Sequence, residues 1–395
     1  MLNFRTYLVE QEEEGKKLKH LTHIEDLPIH QGNAGVSQAH DTLMGMHDKL
    51  LGHENDIPMS TKYDGAPSIV YGHHPQTGKF FVASKSAFNK NPKINYTDAD
   101  IEQNHGHAPG LVEKLKAALR HLPKIAPRQG VYQGDVMYTK PDIEDHDGKY
   151  HFTPNTIQYS VPKESNHGRS IKAAKFGLVT HTKYEGGPTL EKMGATPNVD
   201  HKNFRNDPDV HNINPETKID PSKYTPAMQR DFLNHMENAR ATYSRMKPEA
   251  LDALQGHGEN LEAHINDMVR KGGKPSVEGY VDHLTNRALK GIDAVKTDAA
   301  KLRKSQEHAE VLQHVNSNKK HFADSLELHN HLQKAKNVLV HAANQGSDFE
   351  HHAGGEEVGP EGYVINGAKA VDRGEFSRLN FLKGKMGMRN REEEK

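Results

Sequence analysis

Lys62 stands two residues before an Asp64-Gly65 pair, inside the stretch Ser60-Thr61-Lys62-Tyr63-Asp64-Gly65. A lysine amine attacks an electrophile only when deprotonated, so it must sit among cations or out of water. The Asp-Gly pair that follows lets the backbone bend tightly. The same four residues also suit a strand-end lysine running into a turn. Other chemistries are poorly served. The chain has no cysteine, so it has no disulfide framework, thiolate metal site or cysteine nucleophile. Its 29 histidines include pairs at His73-His74, His105/His107, His329/His331 and His351-His352. Zinc needs three or four ligands at ordered spacing, and no His-Glu-x-x-His pattern is present. Scattered surface histidines are the expectation.

Four further stretches follow Lys62 in order. Val131-Tyr132-Gln133-Gly134-Asp135-Val136 places an acid after glycine, and Thr156-Ile157-Gln158-Tyr159-Ser160-Val161 carries an aromatic on a strand. Glu361-Gly362-Tyr363-Val364-Ile365 and Phe381-Leu382-Lys383-Gly384-Lys385 come near the end. Taken together with Lys-x-Asp-Gly, they resemble motifs I, III, IIIa, IV and V of the covalent nucleotidyltransferases: ATP-dependent DNA ligases, RNA ligases and mRNA capping enzymes. The resemblance covers about residues 55–185 and 355–390. It implies an α+β fold, a ligase-type adenylyltransferase domain on antiparallel sheets. It also implies that Lys62 attacks the α-phosphorus of ATP and carries AMP as a phosphoramidate. Thr61, Asp64 and Gly65 would flank the nucleotide. Asp135 would take the sugar hydroxyls or help hold Mg2+ or Mn2+, and Glu361 would bind that cation. Tyr159 would stack on adenine, and Lys383 and Lys385 would grip the α-phosphate. Lys85 stands where the family usually offers an arginine and can supply charge without a bidentate fork.

The implied activity is an ATP-dependent polynucleotide ligase, similar to RNA ligases, that joins 5′-phosphate and 3′-hydroxyl ends of nucleic acid. Two alternatives stay open: a nicked-duplex DNA ligase that clamps with a helical segment, and a non-catalytic nucleic-acid-binding protein on the same fold. Only ten residues follow Lys385. DNA ligases and capping enzymes normally carry an OB-fold there, so the phage-type RNA ligases are the nearer resemblance, together with proteins of large tailed phages. The pattern departs from the family at Ser160, where RNA ligases often have aspartate. It departs again at Asn366, where lysine is common and Lys369 lies three residues on.

The elements that must position these residues fall into four stretches. Residues 1–56 carry helical spacing at Val36, Ala39, Leu43, Met46 and Leu50, with Gly52 as the stop, and this helix is expected to cover the sheet. Residues 57–220 read as strands. A hairpin over Ile69–Val70–Tyr71 and Phe80–Ala83 turns at His74–Gly78, and an amphipathic helix places Leu111, Leu115, Leu119 and Leu122 on one face. Further strands are expected near 130–138, 150–161 and 175–184. From 221 to 345 the strand pattern gives way to helical periods. Met228, Phe232, Met236, Ala239, Tyr243 and Met246 form one stripe, Leu251 to Met268 a second, and Tyr280, Leu284, Ala288 and Ile292 a third. The expectation is a large all-helical insertion of four to six helices. Lys271, Lys274, Lys296, Lys301, Arg303 and Lys304 could give it a basic face for a phosphate backbone. Residues 346–395 return to the catalytic domain.

The 395 residues suffice for two or three domains. Charged residues make up 27% and aromatics 6%, at a mean hydropathy of −0.87, which describes a lean but globular core. Lys+Arg 52 balance Asp+Glu 53, leaving a net charge of −1, so a nucleic-acid partner would have to be held by a local patch. No run of 18 apolar residues and no signal-peptide core at Met1–Arg5 are present. The expected protein is soluble and cytoplasmic (host cytoplasm if viral), with no membrane partner.

Overall fold

The computed structural model describes residues 21–197, 199–345, 349–375 and 377. The fold is mixed, with antiparallel sheets and a large share of helix. The chain divides into two compact units. One holds residues 60–217 and 349–361; the other holds 21–59, 218–345 and 362–375.

The first unit contains the two larger sheets. In chain order its strands begin with β1 (Met59–Lys62), β2 (Ser68–His73), β3 (Phe80–Ala83) and β4 (Val131–Thr139). Next come β5 (Glu144–His146), β6 (Lys149–Phe152), β7 (Gln158–Pro162) and β8 (Phe176–Glu185). The last are β9 (Gly194–Thr196), β10 (Val210–Ile213), β11 (Glu350–Ala353) and β12 (Glu356–Val358). The larger sheet runs β10-β8-β4-β2-β3, with β9 on β8, and only its β10–β8 pair is parallel. The second sheet runs β12-β11-β7-β6-β5. The β2–β3 hairpin lies where Pro75 and Gly78 place the turn. The strand expected over 150–161 is two strands, separated by residues 153–157, and that break turns out to matter for the site.

Burial explains the larger sheet. Ile69, Tyr71, Val82, Val136, Phe176 and Leu178 form one buried face under the helix Pro109–His121. That helix buries Val112, Leu115 and Ala118, while Leu111 and Leu119 pack at the margin, so its buried stripe is rotated slightly from the leucine row. The opposite face of the sheet buries Val70, Phe81, Val131 and Tyr184. At about 25 cal/mol per Å2 of apolar surface, burial of this kind is the main force holding the sheet.

The second unit is helical. Five α-helices lie between Pro226 and Asn344 among the described residues. The helix Leu27–Leu50 belongs to this unit: Leu43, Met46 and Leu50 join Phe232, Met236, Leu332 and Leu339 in one core. The helix expected to cover the sheet shares this core with Pro226–Arg245 and Lys319–Asn344, whose apolar stripes match its own, and with Met59, Tyr363, Ile365, Ala368 and Ala370. The stripe read from Leu251 to Met268 is not one helix. Gly256 takes a φ of 80° and breaks it, leaving a 3-10 turn at Asp252–Leu254 and a helix from Gly258 to Arg270. Beyond residue 361 the hairpin β13 (Gly362–Ile365) and β14 (Ala368–Ala370) also belongs to this unit. Its turn is Asn366-Gly367, with φ of 49° and 73°. Asn-Gly is favoured for such a two-residue turn, which accounts for the asparagine at this position.

Five buried ionisable side chains of the helical unit form one network. Lys336 Nζ donates to Glu25 at 2.7 Å, His329 Nε2 lies 2.9 Å from Asp26, and Arg373 bonds Asp26. Burial alone would push both carboxyls up, but Lys336 and Arg373 beside Glu25, and His329 and Arg373 beside Asp26, bring them below their ordinary range. Such a network contributes little net stability, yet removing one partner leaves an uncompensated buried charge.

Nine of the 29 histidines lie in the interior and not on the surface. His47, His105, His121, His151, His211, His257, His264, His329 and His351 are buried. Three of them hydrogen-bond a buried tyrosine: His47 with Tyr224 at 2.7 Å, His211 with Tyr138 at 2.8 Å and His257 with Tyr280 at 2.8 Å. In a chain without tryptophan, neutral imidazole serves as a small aromatic filler that satisfies a phenol.

Candidate active site

Lys62 ends β1, whose position is fixed by the residue before it. Thr61 N–H donates to the Pro215 carbonyl at 2.7 Å, and its hydroxyl meets that of Thr217 at 3.1 Å. Thr61 thus contributes to the frame of the site, and its hydroxyl is already engaged. The Lys62 ammonium forms an ion pair with Glu361, its side chain 33% exposed and the carboxylate's 10%. Lys62 and Glu361, nearly 300 residues apart in the sequence, therefore meet.

Gly65 explains the Asp-Gly spacing. A Cβ there would stand 2.7 Å from the Asp135 Cβ and 3.0 Å from the Met137 sulfur. Only glycine lets this turn lie so close to β4, and that closeness brings Asp135 beside Lys62. Gly134 is required for the same reason, since its Cβ would stand 2.6 Å from the Val179 carbonyl oxygen. At that point β8 carries a bulge: Gln133 pairs with Thr182, Gly134 with Thr180, and His181 is the extra residue. His181 Nε2 lies 3.3 Å from Asp135. Nothing in the periodicity of β8 marked His181, because a bulge breaks the alternation from which faces are read.

Asp64 corrects the sequence reading. Its carboxylate accepts from Asn155 Nδ2 at 2.7 Å, Thr156 N–H at 2.7 Å and Ile157 N–H at 3.0 Å. Its own N–H donates to the Tyr159 hydroxyl at 2.7 Å. The residue clamps the Lys62 turn to the break between β6 and β7, and its acceptors are spent on that. Tyr159 is corrected as well. It is 0% exposed, stacked on Phe152 and set edge-on to Phe349 and His351, so it has no open face for a base. Tyr63 packs against both Tyr159 and Phe349, and it is the half-buried aromatic nearest the lysine in sequence. Ser160 is buried and its hydroxyl meets His151 Nδ1 at 2.8 Å, a core contact.

The carboxylates differ in charge behaviour. Burial pushes the Glu361 carboxyl up; Lys62 opposes this, and the negative charges of Asp64 and Asp135 add to the rise, leaving it above its ordinary value. Burial also pushes Asp135 up, but hydrogen bonds from His181 and Ser68 and the charges of His181 and Lys62 outweigh it and leave it lowered. Two nearby carboxyls are thus driven apart, the pattern by which sites divide acid and base work.

Lys85 begins a 3-10 turn after β3, is exposed, and forms no ion pair among the described residues. Lys383 and Lys385 lie outside the described residues. No group of three or more His, Asp or Glu side chains among the described residues is arranged to hold a metal by itself. A magnesium ion often takes one or two carboxylates and completes its shell with water and phosphate. The hard oxygen donors Asp135 and Glu361 fit that use.

A family model matches residues 18–385. The chain belongs to the family of unknown function DUF6267. No curated protein and no solved structure matches it. The site of this DUF6267 chain is therefore argued from its own geometry. No helix among its described residues is long and apolar enough to cross a membrane.

Proposed function

We propose that this DUF6267 chain is a covalent nucleotidyltransferase, an ATP-dependent polynucleotide ligase similar to RNA ligases. The observation that carries the reading is the Lys62–Glu361 ion pair beside Asp135. It joins a potential nucleophile, a carboxyl raised above its ordinary value and a second carboxyl lowered below its own.

In the proposed reaction the Lys62 ammonium gives up a proton to water, and the free amine attacks the α-phosphorus of ATP. The new N–P bond forms as the bond to pyrophosphate breaks, leaving AMP on Nζ. Asp64 keeps the Lys62 turn fixed through these changes, and Gly65 keeps it against β4. Asp135 and Glu361 would hold a divalent cation, Mg2+ or Mn2+, whose charge would stabilise the developing negative charge on the phosphate. A 5′-phosphate then takes the AMP from Lys62, and a 3′-hydroxyl displaces AMP from that activated end to seal it.

The test is incubation with α-labelled ATP and Mg2+. A protein-bound label that pyrophosphate discharges supports the reading. Absence of any covalent label with both Mg2+ and Mn2+ overturns it.

A further inference from the structure

The helical unit contains a hairpin whose outer half buries almost nothing. The helices Val277–Asp293 and Asp298–Ser317 pack on the unit's second core through Val277, Tyr280, Leu284, Leu312 and Val315. Among the described residues, no side chain of either helix past Leu284 and before Leu312 is fully buried. In the outer half of the second helix only Ala300, Lys304 and His308 are half-buried, four residues apart on one face. Lys304 Nζ lies 3.5 Å from where a Gly291 Cβ would stand, so the two helices close on each other around that glycine. Core packing thus explains the base of the hairpin and leaves its tip without a role.

The tip is basic. Between residues 287 and 304 it carries Arg287, Lys290, Lys296, Lys301, Arg303 and Lys304 against only Asp293 and Asp298, a net charge of +4 in a chain of net −1. Lys290, Lys296, Lys301 and Lys304 have no carboxylate partner among the described residues, whereas Arg303 lies 3.6 Å from Glu307. Leu289 and Leu302 are 53% and 61% exposed, the two most exposed large apolar side chains described. Two leucines are a small apolar face for holding a helix on a membrane, where binding scales with buried apolar area. Four unpaired ammonium groups on a local patch match a chain of phosphates.

We infer that the tip of this hairpin is a docking surface for the phosphate backbone of a nucleic acid. The inference rests on the proposed ligase reading only in naming the polyanion. It assigns affinity to the helical unit and chemistry to the Lys62 site.

The test measures binding of a fluorescent single-stranded RNA by anisotropy, across a series of salt concentrations, with the full chain. Each phosphate contact to a single strand contributes about −0.7 to the slope of log K against log salt, so four contacts give a slope of about −3. A variant with Lys290→Gln, Lys296→Gln and Lys301→Gln should bind at least tenfold more weakly and lose about 2 from that slope. Its helical circular dichroism should be unchanged. An unchanged affinity and slope overturn the inference, as does binding to anionic phospholipid vesicles without binding to RNA. Covalent labelling by ATP, read on the same preparations, separates the two proposals. Lysine-dependent RNA binding without labelling keeps this inference and removes the ligase reading. Labelling without lysine-dependent RNA binding does the reverse.

Discussion

Asp64 provides a quantitative test of how the site is built. Its carboxylate accepts three hydrogen bonds from residues 155–157, two of them at one oxygen, and its N–H donates to Tyr159. Hydrogen bonds to a charged acceptor contribute about 1.5–3 kcal/mol each when buried and less where water competes. This side chain is only half-buried. About 1 kcal/mol for each of the three is then a suitable scale, and Asp64→Ala should lower stability by about 3 kcal/mol. Asp64→Asn behaves differently. Its amide oxygen can keep the two backbone donors while the Asn155 amide turns over to accept from the new NH2 group, so only the charge is lost. That variant should cost about 1 kcal/mol. Urea unfolding of the two variants and wild type gives the three values directly. Covalent labelling by ATP should fall in the same order, because the clamp holds the turn that carries Lys62. An Asp64→Ala protein as stable as wild type would refute the clamp. So would an Asp64→Asn protein damaged as badly as the alanine variant, since that would make the charge, and not the fixed geometry, the residue's contribution.

Glu361→Ala should abolish labelling at Lys62 while leaving the protein folded, and Glu361→Gln should hardly restore it because a cation needs the carboxylate charge; normal labelling of either variant at low magnesium would contradict this role. The buried histidines set an acid limit on stability. Burial holds His211 down at about 3 and His351 at about 4, whereas an unfolded imidazole takes its proton near pH 6.5. Below that point the unfolded chain binds more protons, so stability present above about pH 6.5 is lost as the pH falls toward 4. The slope for each ring is half of its limit of about 1.4 kcal/mol per pH unit at about pH 6.5 and approaches that limit below it, so the fall from about pH 6.5 to 5.5 should remove about 2 kcal/mol from these two. His30 and His146, raised by Glu262 and Asp147, run the other way and are outnumbered by lowered rings. Urea midpoints at pH 7.5 and 5.5 check the sign, and an equal or higher midpoint at the lower pH would contradict it.

Much of this architecture is visible in local patterns. The β2–β3 hairpin follows from apolar runs around Pro75 and Gly78, and the helices after Pro226 follow from stripes such as Phe232-Met236-Ala239. No spacing rule could have produced the Lys62–Glu361 ion pair, which joins residues far apart in the sequence. What stayed hidden depends on contacts between distant residues. Asp64 and Tyr159 read as ligand-facing because nothing local shows that their polar atoms meet each other's segments. His181 was masked by the bulge opposite Gly134. The role of histidine as a core aromatic was hidden by its polarity, since only the tyrosine partners far away in sequence make burial cheap.

The central claim is that Lys62 is a nucleophile, and mass spectrometry after incubation with ATP and Mg2+ tests it most directly. The account predicts a mass gain of one AMP, mapped to Lys62, stable to alkali and labile to acid as a P–N bond is. The gain should be absent from Lys62→Ala and from Lys62→Arg, whose guanidinium is too basic to attack. An unmodified Lys62, or an adduct on another residue such as Lys85, would contradict it.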